Sequence, residues 1–308
     1  FTAGLAASTS KTYRTGCGRY NRFCISHGIT AYPTSEDTLS QFVAWLFLDG
    51  LKAGTVKSYL AAVRHEQIGL GLGDPHMPDM PQLEYVIKGL QKKAVNGPTR
   101  PRLPITPTVL GAIKQVWLRD PDRFSTSMLW AACCLCFFGF LRSGEVVVPS
   151  DASFNAGVHL CFEDVAVDSH IEPSTLRVTL KASKTDPFRK GVVIVIGRGT
   201  QEICPISAVL DYMSRRGPAP GPLFVFGDGR CLTRPRFVAA LRLALGAAGI
   251  DARLYSGHSF RIGAATTAAI RGIPDSLIKT MGRWQSSAYT LYVRTPTSVL
   301  QSVARRLL

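Results

Sequence analysis

The stretch Gly257-His-Ser-Phe-Arg-Ile-Gly263, followed by Gly282-Arg-Trp284 and then Tyr292-Val-Arg294, decides how this chain is read. His258, Arg261, Trp284 and Tyr292 fall within 35 residues of one another. The i, i+3 spacing of His258 and Arg261 predicts that both lie on one helix face. Gly257, just before them, lets the backbone come close to a partner. Two basic side chains and an indole can surround one phosphate, and a phenol close by can attack it. His-x-x-Arg alone is a weak pattern; the aromatic residues downstream give it weight. Tyr292 stands eight residues after Trp284, and Tyr289, five residues after it, competes as nucleophile.

The composition points the same way. Among 308 residues, 36 Lys and Arg face 21 Asp and Glu, a formal charge of +15. Self-repulsion of that size favours a polyanionic partner, although charge alone also fits mere solubility. A hydrophobic fraction of 46% suffices for real cores. The eight cysteines lack zinc-site spacing, and Cys133, Cys134 and Cys136 sit in an apolar run as small buried hydrophobes, so a reduced, intracellular protein is expected. The longest apolar stretch, Met128 to Leu141, has 14 residues, too few to span a bilayer, and no secretory signal opens the chain. The start at Phe1 rather than methionine fits a fragment of something longer. Neither a phosphate-binding Gly-rich loop nor a carboxylate pair at metal-site spacing occurs, so no cofactor and no metal is expected.

The pattern predicts two domains. Residues 1–96 read as four short amphipathic helices around Tyr13 to Cys24, Leu39 to Leu46, Val56 to Val63 and Leu83 to Leu90. Thr34-Ser35 is the expected cap of the second. Residues 97–104, with three prolines, a glycine and two arginines, form an extended joint able to run beside a phosphate backbone. Residues 105–308 read as a mostly helical domain with one small antiparallel sheet. Helices are expected over 107–118, 125–140 (apolar on all sides, hence buried), 206–215, 234–248, 259–271, 274–281 and 297–308. Strands are expected over 160–167, 176–182 and 192–196, the last two joined by the basic loop Ser183-Lys-Thr-Asp-Pro-Phe-Arg-Lys-Gly191.

These motifs resemble the active site of the tyrosine recombinases, the family of phage integrases and chromosome-dimer resolvases. The resemblance extends over nearly the whole chain and implies a helical core-binding domain followed by a catalytic domain, clasping DNA from opposite sides. Phe138-Gly-Phe-Leu-Arg-Ser-Gly-Glu-Val146 looks like the family's upstream arginine segment, which makes Arg142 catalytic and Glu145 a structural brace. Ser183-Lys-Thr-Asp186 is similar to the loop carrying the family's general acid, which points to Lys184, with Lys181 next in line and Lys190 starting the return strand. Val-Arg after Tyr292 resembles the end of the active-site segment and favours Tyr292 over Tyr289. Trp284 stands where a histidine is commoner. The hairpin loop and the Gly-Arg-Trp to Tyr-Val-Arg end look most like recombinases of eukaryotic mobile elements, the DIRS-type retrotransposons and the Cryptons.

The resemblance implies a site-specific recombinase that integrates or excises a mobile element. It would act on double-stranded DNA as a homo-tetramer on two sites, in the nucleus if eukaryotic and otherwise on DNA in the cytoplasm. Arg142 and Arg261 would clamp the non-bridging oxygens, His258 would donate a hydrogen bond or accept the phenolic proton, and Trp284 would offer its N–H. Lys184 would protonate the leaving 5′-oxygen, leaving a 3′-phosphotyrosyl bond on Tyr292 without ATP or metal. Lys11, Arg14, Lys52, Lys57, Arg64, Lys92, Lys93, Arg100, Arg102 and Arg283 are the expected DNA contacts, each of which singly could be only a solvated surface residue. The apolar stripe Val299, Leu300, Val303, Leu307 and Leu308 is expected to dock on a neighbouring protomer in a cyclic exchange. Two other classes share these residues: a type IB topoisomerase working alone, and a domesticated DNA-binding protein that no longer cleaves.

Overall fold

The structure, a computed structural model, describes residues 4–93, 102–183, 186 and 190–294. Lys184, Arg100 and the expected tail helix over 297–308 lie outside the described residues. The chain divides into two compact units, Phe1–Thr99 and Arg100–Leu308.

The first unit is helical: α1 (Ala7–Ser26), α2 (Glu36–Leu48), α3 (Ala53–Gly69) and α4 (Pro81–Lys93). Ser35 starts α2 by accepting a hydrogen bond from the Thr38 amide at 3.1 Å, which satisfies one orphan donor of the first turn. Helix α1 packs on α3, and α2 on α4. Tyr20, Phe23, Leu39, Phe42, Leu46, Val56 and Val63 fill the middle, each 1% exposed or less. These are the residues that recur at helical spacing, so here the apolar period alone builds the core.

The second unit holds α5 (Pro107–Trp117), α6 (Arg123–Phe138), the single turn α7 (Ser143–Val146), strands β1 (Val165–Val167), β2 (Thr175–Leu180) and β3 (Val192–Gly197), then α8 (Pro205–Arg216), α9 (Arg234–Ala247), α10 (Ser259–Ile270) and α11 (Asp275–Gly282). Thr106, Asp122 and Thr233 cap α5, α6 and α9 through their side-chain oxygens. The sheet is antiparallel in the order β1-β2-β3, with Val178 opposite Val165 on one side and Ile194 on the other. Its inner face carries Leu176, Val178, Leu180, Ile194 and Ile196, while Val193 and Val195 face out, the alternation of a sheet covered on one side.

One strand is shorter than expected. The segment 160–167 is extended only over Val165–Val167, because the Asp164 carboxylate takes the Cys161 amide at 2.8 Å and winds Phe162–Asp164 into a 3-10 turn. Helix α6 is buried at ten of its 16 positions, including Cys133, Cys134 and Cys136. All eight cysteines are free thiols. No described helix is long and apolar enough to cross a membrane. From Arg102 onward the end of the expected joint is bound into this unit, with the Leu103 amide on Leu254 O (2.9 Å) and the Ile105 amide on Ser259 O (3.0 Å). That ties the entry of the chain to the start of α10.

Candidate active site

Helix α10 is the axis of the site. Nine of its 12 residues are buried; it packs on α6 and α11, and Gly263 leaves room for the backbone of Ile105, which a Cβ there would strike. His258 stands at its N-cap and Arg261 in its first turn. The close approach for which Gly257 is needed proves to be internal: a Cβ there would collide with Ser143, which follows Arg142. The turn bearing His258 is thereby pressed onto the turn bearing Arg142.

Arg261 is wholly buried, the largest fully buried side chain of the described residues. Its Nη1 donates to Phe140 O at 2.7 Å and its Nη2 to Gly282 O. Its guanidinium lies 4.2 Å from the centre of the Trp284 ring and 5.6 Å from that of Tyr292. Burial, then the charges of Arg142 and Arg283, pull its pKa down to about 10, so it remains a cation at neutral pH. Both carbonyls it holds adjoin strained backbone. Phe140 (φ +50°) and Arg283 (φ +54°) are left-handed without being glycine, at a cost of order 1–3 kcal/mol each. Trp284 fixes the third glycine of the motif, since a Cβ on Gly282 would run into the indole ring.

Around Tyr292 the candidates converge. Its ring centre lies 5.0 Å from that of His258 and 5.0 Å from that of Trp284. His258 is exposed, yet partial loss of water and then the positive charges of Arg261, Arg142 and Arg234 push its pKa below the ordinary 6.5. A neutral imidazole is the form that can accept a proton. Tyr289 is placed differently: its hydroxyl donates to Asp275 Oδ2 at 2.8 Å, and that bond raises its pKa. That bond turns the Tyr289 hydroxyl to α11, whereas the Tyr292 ring lies against His258, Trp284 and Arg261.

Arg142 is half-buried at the start of α7 and sits on Glu145, Nη1 to Oε1 at 2.9 Å, while its own amide donates to Oε2 at 2.8 Å. Glu145 carries a second arginine that the sequence did not assign to it: Arg283 Nη2 donates to Oε2 at 2.8 Å. The Arg283 side chain is only 12% exposed. In the structure it braces Glu145 across the site instead of standing free on the surface. Burial lowers its pKa, opposed by Glu145. The signal was available in Glu145, whose two oxygens can hold more than one arginine.

The other expected residues divide. Lys181 is committed to Asp164 (2.7 Å) and Ala156 O (2.9 Å); burial draws its ammonium down, but Asp164 outweighs it and the net shift is upward, away from an acid's range. Lys190 is exposed. In the first unit Lys11, Arg14, Lys57, Lys92 and Lys93 are exposed on helices and Lys52 is exposed just before α3, whereas Arg64 forks onto Asp74 through Nε (2.9 Å) and Nη2. Arg102 is exposed and donates to Arg253 O at 2.5 Å.

Three buried donors of the site, Nε of Arg261, Nε of Arg283 and Nε1 of Trp284, have no acceptor among the described residues. Buried N–H groups left unpaired are costly, and two of these belong to cations. With Arg142, Arg261 and Arg283 against the single carboxylate of Glu145, the arrangement can hold an oxyanion beside a phenol and a neutral imidazole. Among the described residues no cluster of three or more His, Cys, Asp or Glu could hold a metal.

No protein-family model matches the chain. It is 26% identical over 293 residues to the integrase/recombinase XerD homolog of Selenomonas ruminantium, which covers 91% of this chain and 79% of that protein. The structure is similar to the XerH site-specific recombinase in a post-cleavage complex with its palindromic difH substrate, with a TM-score of 0.62 and 15% identity over 96% of this chain and 78% of the other. It is also similar to a lambda integrase dimer bound to a COC′ core site, with a TM-score of 0.58 and 14% identity over 95% and 73% of the two chains. A helical first unit and a helical second unit with one small antiparallel sheet make up a fold shared with these solved structures, and the likeness in sequence to the XerD homolog runs along nine-tenths of the chain.

Proposed function

We propose that the protein is a site-specific DNA recombinase that cleaves and rejoins duplex DNA through Tyr292. The observation that carries this is the placement of the Tyr292 ring against His258 and Arg261 at the start of α10 and against Trp284, which follows α11. In the reaction, Tyr292 Oη bonds to phosphorus while the P–O5′ bond breaks. His258 takes the phenolic proton, and Lys184 supplies one to the departing 5′-oxygen. Arg142 and Arg261 neutralise the charge that builds on the non-bridging oxygens. The unpaired Nε1 of Trp284 donates to one of them. Because the Tyr292 ring covers Arg261, it swings aside as the phosphate enters.

The relatives named above are recombinases and integrases, one of them seen with cleaved substrate, which supports the same chemistry here. The finer assignments rest on the sequence: DIRS-type or Crypton character, integration or excision of a mobile element, a tetramer on two DNA sites with exchanged C-terminal tails, and a nuclear location in a eukaryotic host. Trapping a covalent protein–DNA adduct on nicked suicide duplexes tests the chemistry. Tyr292→Phe is expected to abolish the adduct while DNA binding stays within about threefold, because the hydroxyl attacks but does not dock the duplex. Adduct that persists in Y292F removes Tyr292 as nucleophile.

A further inference from the structure

Helix α10 holds Tyr292 at two points, and only one of them belongs to the reaction chemistry. Five residues beyond Arg261, Thr266 is 2% exposed. Its Oγ1 donates to Tyr292 O at 3.1 Å and accepts from the Arg294 amide at 3.0 Å. A helical threonine ordinarily turns its hydroxyl back on the carbonyl four residues earlier. Thr15, Thr126 and Thr280 do so, at 3.1, 2.8 and 2.9 Å. Thr266 spends its proton on the tyrosine segment instead.

The neighbouring groups make that bond consequential. Upstream of Tyr292, the 3-10 turn Ser287–Leu291 is anchored by Tyr289 on Asp275 and closed by the Tyr292 amide on Tyr289 O at 2.9 Å. Downstream, the bond from the Arg294 amide to Thr266 is the last hydrogen bond of the described chain, and Val293 packs on the core between the two. A phenol that attacks in line must have its main chain fixed while its ring moves, since misplacement by an ångström costs orders of magnitude in rate.

Resting on the assignment of Tyr292 as nucleophile, we propose that the Thr266 hydroxyl is a positioning group that latches the main chain of Tyr292 and Arg294 to the helix bearing Arg261. The ring is then free to swing toward the phosphate about a fixed backbone. Thr266 touches no substrate; it acts through Tyr292.

Thr266→Val removes the hydroxyl and keeps the shape, and Thr266→Ser restores it. Two arms read the outcome on the full chain. The first, without DNA, follows tryptic cleavage after Arg294 by mass spectrometry. It is expected to run about tenfold faster in T266V than in wild type or T266S. The second measures adduct formation on a pool of randomised nicked duplexes. At saturating DNA, T266V is expected to be slower by about tenfold, with half-saturation unchanged within about twofold and T266S near wild type. If wild type and T266V are equal in both arms, or if T266V loses DNA affinity in step with rate and serine fails to rescue, the latch is wrong. If wild type forms no adduct, the nucleophile assignment falls, and the tryptic arm alone decides whether Thr266 holds the segment.

Discussion

The first unit and the candidate site of the second carry positive charge in opposite ways. In the first, cations stand on the surface, either solvated, as Lys52 and Lys57 are, or matched by one carboxylate each, as in Arg64–Asp74 and Lys88–Glu84. In the second, Arg261 is wholly buried, and Arg142 and Arg283 share one Glu145. A surface cation costs little and is screened by salt. A buried one loses its hydration, and an excess of buried cations is tolerable only where an anion will complete it. The first arrangement suits a grip on a long polyanion, the second a grip on a single phosphate.

The comparison breaks most sharply at Arg261. Arg261→Lys keeps the charge and loses the fork that spans Phe140 O and Gly282 O with a donor to spare. Adduct formation is expected to fall by at least about 10²-fold, with little change in DNA affinity. Cleavage at the wild-type rate by R261K would reduce Arg261 to a structural cation. Glu145→Gln attacks the other half. With its single negative charge gone, Arg142 and Arg283 repel across the site, and the protein is expected to lose about 3 kcal/mol in urea unfolding. An unchanged unfolding midpoint would show that the brace carries no net stability.

His258 gives a smaller, pH-dependent difference. Its folded pKa lies below the ordinary 6.5. Between those two values the unfolded chain holds a proton that the folded site does not, so stability conferred above 6.5 is lost as pH falls through that window. His258→Gln is expected to flatten this part of the thermal-midpoint curve. A wild-type curve no steeper than that of H258Q would mean that neither burial nor the cations around His258 lower its pKa in the folded state.

The sequence shows how much of this could be foreseen. Apolar period, with the cap at Ser35, located the helices because those elements are made locally; Thr106 and Asp122 start α5 and α6 in the same way but are not among the caps expected from the sequence. The sheet was less legible at its first strand, where one carboxylate, Asp164, converts an extended start into a turn. Within the site, His258, Arg261, Trp284 and Tyr292 announced themselves by type and spacing. Arg283 did not, since nothing in its chemistry tells which way an arginine faces; its left-handed backbone turns it inward onto Glu145. Thr266 was hidden in the run Ala-Ala-Thr-Thr-Ala-Ala, where only the three-dimensional path of Tyr292–Arg294 shows which threonine is used.

The finest test of the two kinds of charge lies wholly within the first unit. Lys57 is exposed, and Arg64 is exposed with its guanidinium forked on Asp74. The fork holds the Asp74 carboxylate well below its usual range, so the pair stays matched down to acid pH. A cation facing a phosphate releases a counterion on binding, whereas one already neutralised by its own protein releases less. Lys57→Ala is therefore expected to reduce the slope of log affinity against log salt by about one unit, and Arg64→Ala by clearly less. Asp74→Asn, which frees Arg64, should steepen the slope. These are binding measurements on duplex DNA across a salt series, and they need no cleavage. Equal losses from K57A and R64A would mean that the Asp74 pair opens on DNA and that pairing at this surface does not decide which cations the duplex meets.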